Sequence, residues 1–150
     1  MSTKLGLLDS AEEENKKLVQ NWLNFLDKSR LDFTQSFRSL SKLVSNEPDL
    51  DEFSDEGLSK DFLEPWRQKL KTQFDNINQA KEHLDSKNPW VIPRNHMVEQ
   101  AIQAGYERDF QPLKEMLSVL ENPFEEQSKF EIYAKAPNES EKVLRTFCGT

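Results

Sequence analysis

The apolar positions of this chain recur at helical spacing almost throughout. Leu18, Trp22, Phe25 and Leu26 share one stripe, which predicts a first helix over about 11–28. Ser10 just ahead of it and Glu13 in its first turn have the spacing of a capping box. Phe33, Phe37, Leu40 and Val44 predict a second helix, and Asp32 is placed to accept from the free amides of its first turn. Leu63, Trp66, Leu70, Phe74, Ile77 and Leu84 trace the buried face of one long helix over about 62–86. Pro65 falls in its first turn, where a missing amide costs little. Asn88-Pro89 ends it, because proline disfavours helical geometry in the residue before it. A fourth helix over about 94–107 turns Met97, Val98, Ala101 and Ile102 inward. Asp109 and Pro112 open a fifth over about 110–121, with Phe110, Leu113, Leu117 and Leu120 on its stripe and Asn122-Pro123 stopping it.

Two stretches depart from this pattern. Residues 46–57 hold Pro48, Gly57 and the acids Glu47, Asp49, Asp51, Glu52, Asp55 and Glu56, which reads as a solvated acidic loop. Residues 122–150 form an irregular docking tail, with Phe124, Phe130 and Tyr133 as anchors onto a neighbour and Pro137 as an interruption. No segment reads as a strand. The fold expected is all-α, a single helical region over 1–150 with roughly five helices.

Composition narrows the function classes. A chain of 150 residues suits one domain, or a piece of a larger protein. Ten Phe and three Trp argue against disorder. The formal charge of −7 disfavours nucleic acid, which needs a basic face to replace phosphate counterions. No apolar run approaches the ~20 residues of a membrane span, and the start lacks a signal-peptide core. A cytoplasmic protein is expected, or a mitochondrial one if the source is eukaryotic. The lone cysteine, Cys148, has no internal partner for a disulfide, in keeping with a reducing compartment.

Candidate chemistry fails on inspection of the residues. Asp49-x-Asp51 resembles the opening of a calcium loop, but the fifth, sixth and twelfth positions are Phe53, Ser54 and Lys60. Such a loop needs an oxygen, a glycine and a glutamate there. His83 and His96 fall on different helices and read as helix-surface or helix-end residues. The glycines Gly6, Gly57, Gly105 and Gly149 are too scattered for a phosphate loop, and neither His-Arg-Asp nor Asp-Phe-Gly occurs. A Cys148–His nucleophile pair would sit in a fraying terminus. No catalytic, cofactor-binding or metal-binding residue is assigned.

Two segments are specific: Asn88-Pro89-Trp90-Val91-Ile92-Pro93-Arg94-Asn95-His96, and the ending Val143-Leu144-Arg145-Thr146-Phe147-Cys148-Gly149-Thr150. Between and before them stand Ala101-Ile102-x-Ala104, Asp109-Phe110, Asn122-Pro123-Phe124, Lys4-Leu5-Gly6-Leu7 and Asp32-Phe33-Thr34-x-x-Phe37-Arg38-x-Leu40. In this order the set resembles the C-terminal third of the selenoprotein O family, over Lys4 to Thr150. The resemblance implies a kinase-like protein, a pseudokinase in fold, that works as a protein adenylyltransferase. It would move AMP from ATP, with Mg or Mn, to Ser, Thr or Tyr hydroxyls of proteins. Its nucleotide and metal residues belong to a kinase-like part that precedes this stretch, and none maps here. The kinase-like domain and the protein substrates of the whole enzyme are the implied partners, with no nucleic acid and no membrane. Cys148 occupies the family's selenocysteine or cysteine position, third from the end, which makes it the redox candidate. Arg94 and Asn95 are the candidates for a junction to the kinase-like domain, with Asn95 capping the helix and Arg94 pairing across the interface. Two other readings stand beside this one: a free-standing helical interaction module, and a redox protein acting through Cys148.

Overall fold

The computed structural model describes residues 1–9, 12–45 and 51–142. Among these the chain is helical with no strand, as expected, but seven α-helices of five residues or more replace the expected five. The chain divides into two compact units, Met1–Asn88 and Pro89–Thr150.

The first unit begins with a 3-10 turn at Ser2–Leu5, then α1 (Glu13–Ser29), α2 (Phe33–Arg38) and α3 (Leu40–Val44). A 3-10 turn at Asp51–Phe53 leads to α4 (Glu56–Leu58), a π-turn at Ser59–Leu63, α5 (Glu64–Gln73) and α6 (Ile77–Lys87). Its core centres on Trp22, which is fully buried against the rings of Phe37, Phe53 and Phe62 at centroid distances of 5.8, 5.8 and 4.9 Å. Such pairs add about 0.5–1.5 kcal/mol each beyond the area they bury. Phe53, from the stretch expected to be solvated, is therefore a core residue, whereas Asp51, Asp55 and Glu56 around it are exposed.

Three local expectations give way here. Glu13 is the first residue of α1 and Glu12 its N-cap, so Glu13 does not take the third position of a capping box; Ser10 lies outside the described residues. The second helix is two, bent at Ser39, so that Leu40, Leu43 and Val44 of α3 turn inward while α3 packs along α6. Asp32 does cap α2, accepting from the Gln35 amide at 2.8 Å.

The expected long helix also breaks, at Phe74–Asn76. Phe74 is extended, at φ −125° and ψ 141°. Asn76 accepts from the Gln79 amide at 3.0 Å, and Gln79 Oε1 accepts from the Asp75 amide at 3.2 Å. This reciprocal pair satisfies amides that a helix start leaves open, so the break is cheap. Ala80 and Leu84 of α6 are then buried, while Ile77 is left exposed. Pro65 sits in the first turn of α5 as expected. It has no amide to offer the Asp61 carbonyl, and Asn21 Nδ2 donates to that carbonyl at 2.7 Å.

The second unit holds α7 (Asn95–Tyr106), α8 (Gln111–Leu120), a 3-10 turn at Ser128–Phe130, α9 (Glu131–Ala134) and a 3-10 turn at Glu139–Glu141. Its core is Val91, Met97, Ala101, Met116, Val119 and Tyr133. The last turn starts with a full capping box, Asn138 with Glu141. Two stripe assignments are overturned. Ile102 is exposed on α7, and Phe110, Leu113 and Leu117 are exposed at α8 while Met116 and Val119 take the core. The cause is that α8 is apolar around more than half its circumference, so periodicity leaves two faces to choose between.

Candidate functional site

The motifs picked out in the sequence become two knots of buried polar contacts, one in each unit. In the first unit the knot is Asn88. It is 1% exposed, and its Nδ2 donates to the Lys4 carbonyl at 2.8 Å and the Leu84 carbonyl at 3.0 Å. Lys4 Nζ donates to the Lys87 carbonyl at 3.3 Å and to Asn88 Oδ1 at 3.4 Å. Burial pulls the Lys4 ammonium below its ordinary pKa. Arg38 completes the knot. Its Nη1 donates to the carbonyls of Asp85 and Asn88, each at 3.2 Å, and stands 3.2 Å from Asp85 Oδ1.

The Lys4-Leu5-Gly6-Leu7 motif is thereby threaded through the core. Leu5 and Leu7 are buried, and Trp66 Nε1 donates to the Leu5 carbonyl at 2.7 Å. Gly6 has φ +72°, and a Cβ there would lie 3.1 Å from Leu70 Cδ2 and 3.3 Å from Leu84 Cδ2. Only glycine meets both the backbone and the space. Sequence reasoning saw these residues as a motif but missed their burial. The signal was a polar Asn at the end of an apolar stripe, one turn after Leu84.

In the second unit Trp90 and Val91 amides both donate to the Pro123 carbonyl, at 2.8 and 3.1 Å. Arg94 is buried, and its Nε donates to the Ala134 carbonyl at 3.2 Å, which ties α9 to the start of α7. Arg94 occupies the N-cap position of α7 without a side-chain cap, and Asn95 is the exposed first helical residue. Asn95 thus does not cap its helix. Tyr133 adds a second tie, its hydroxyl donating to Glu115 Oε2 at 3.3 Å, with burial first and Glu115 second raising its pKa. Cys148 lies outside the described residues.

The histidines stay apart from these knots. His96 is buried near the start of α7. His83 on α6 stands against Phe74, at a ring distance of 5.2 Å, and burial and then Lys87 hold its imidazole below the usual 6.5. Among the described residues no group of three His, Cys, Asp or Glu is placed to hold a metal ion, and no helix is long and apolar enough to cross a membrane. An open cavity of about 210 Å³ lies among α3, α5 and α6, with Leu70, Phe74 and Ala80 on its wall. Of the two cations on its lining, Arg67 and Lys71, Arg67 is already engaged. Its Nε and Nη2 donate to the Leu43 carbonyl at 2.9 and 2.6 Å, capping the end of α3.

The sequence of this chain is similar to that of known proteins. The family model described as protein adenylyltransferase SelO matches residues 1–121. Protein nucleotidyltransferase YdiU of Rhodopseudomonas palustris is 39% identical over 155 residues, covering 100% of this chain and 31% of its own length. The protein of the same name from Maridesulfovibrio salexigens is 39% identical over 153 residues, with the same two shares. That of Clostridium botulinum is 33% identical over 151 residues, covering 100% of this chain and 30% of its own length. The chain therefore spans less than a third of the length of the curated relatives it matches.

Proposed function

The chain belongs to the protein adenylyltransferase SelO family, and on that premise we propose that it is the C-terminal helical region of a longer nucleotidyltransferase. The observation that carries this reading is the asymmetry of coverage: relatives match all of this chain, and it matches 31% of them. The longer protein transfers AMP from ATP, with a divalent metal, to protein hydroxyls. The ATP and metal residues belong to the kinase-like part outside this stretch, and this region supports that part structurally. The Asn88 and Arg94 knots suit such a role, since buried and mutually satisfied polar groups fix a fold rather than react.

Two measurements test the reading. An antibody to this region, with intact mass of the captured protein, is expected to find a species larger by a whole kinase-like part. A species the size of this chain overturns the proposal. Titration calorimetry of the isolated chain with ATP and Mg is expected to show no heat of binding, and saturable binding overturns the placement of the nucleotide site outside it.

A further inference from the structure

The apolar face that α8 leaves uncovered is large for a solvated helix. Met116 and Val119 fill the core of the second unit, at 7% and 0% exposure. Phe110, Leu113 and Leu117 stand at i, i+3 and i+7, on a neighbouring face, and are 52%, 38% and 55% exposed. Ile102 and Tyr106, one turn apart on α7, are exposed as well. A Cβ at Gly105 would lie 3.8 Å from Phe110 Cε1, so the α8 stripe begins against the end of α7. Contiguous bulky apolar surface of this kind marks a contact rather than a water-facing side.

Resting on the reading above, we propose that the Phe110–Leu113–Leu117 face is the docking surface for the remaining polypeptide of the longer family protein. More than two-thirds of each relative lies outside the stretch that this chain matches, so a body about twice its size is available to cover the face. The face also lies within residues 1–121, the part that the family model describes. The chemistry asked of the covering surface is an apolar groove. Lys114 and Glu121, exposed beyond the stripe, stay at its wet rim.

The test fuses this chain to the preceding part of the Rhodopseudomonas palustris relative, in place of its matched stretch. Hydroxyl-radical footprinting then compares Phe110, Leu113 and Leu117 in the fused protein and in the free chain. Oxidation of all three is expected to fall by about fivefold or more in the fusion, as full burial at an interface core requires. A Leu113→Asp, Leu117→Asp double variant is expected to keep the circular dichroism of the free chain and to restore oxidation of Phe110 in the fusion. Equal oxidation in both proteins, with the fusion resisting limited proteolysis as one body, overturns the docking face and leaves the proposed function standing. Proteolysis that releases this chain intact and fully oxidised overturns both. Protection already present in the free chain, with a dimer mass by light scattering, assigns the face to a second copy and overturns the proposal.

Discussion

Lys4 and Asn88 clasp each other across 84 positions of sequence: the Asn88 side-chain amide donates to the Lys4 carbonyl at 2.8 Å, and the Lys4 ammonium reaches back to Asn88 Oδ1 at 3.4 Å. The clasp closes the first unit, joining its first turn to its last helix. Asn88→Ala leaves the part-buried Lys4 carbonyl without this donor and is expected to destabilise the unit by about 1–3 kcal/mol. Urea unfolding followed by Trp fluorescence measures this, since Trp22 and Trp66 lie in that core. Asn88→Asp, which cannot donate, is expected to lose as much.

Gly6→Ala strains the same segment twice. The left-handed backbone costs a residue with a Cβ about 1–2 kcal/mol, and Leu70 must yield where the contact would be 3.1 Å. Hydrogen exchange of the Leu5–Leu7 amides is expected to accelerate along with the loss of stability. Unchanged exchange would refute the threading of this segment.

Arg94→Met keeps much of the apolar stem and removes the donor to Ala134. A loss of about 1.5–3 kcal/mol is expected, the range for a bond from a charged donor. Exchange at Glu131–Ala134 is expected to speed up while the Leu5–Leu7 amides keep their rate. Arg94→Lys is not an equivalent replacement, because an ammonium lacks the planar guanidinium that reaches the carbonyl.

His83 is expected to make the first unit sensitive to acid. Its folded pKa lies below the usual 6.5, through burial first and Lys87 second. The fold therefore favours the neutral ring. That contribution is present above about pH 6.5 and is lost as pH falls through the folded value. The drop in melting temperature between about pH 7.5 and 5.5 is expected to shrink in His83→Gln. An identical drop in the variant would exclude His83 as a source of the acid sensitivity.

Much of this was legible along the chain. Asp32 at its cap, Pro65 in a first turn and the all-α class all follow from local chemistry, where a residue acts on neighbours within one turn. Family membership was legible too, because the order of short motifs survives without knowledge of their contacts. Less legible was the break at Phe74–Asn76. Its signal, Asn76 with Gln79, is a local cap that an unbroken apolar stripe outweighed. The burial of Asn88 had a local signal in its place at the end of an apolar stripe, but its pairing with Lys4 had none, since the two share no neighbourhood in sequence.

The sequence by itself determined those helix starts that a neighbour caps, Asp32 at α2 and Asn76 at α6, because the open amides there are satisfied by a residue a few positions away. Tertiary structure alone decided which apolar face of α8 enters the core. Phe110, Leu113 and Leu117 are as hydrophobic as Met116 and Val119, and burial is settled by the surfaces that other elements present. The same holds for the split of one expected helical region into two cores, each closed by a buried polar knot drawn from distant segments.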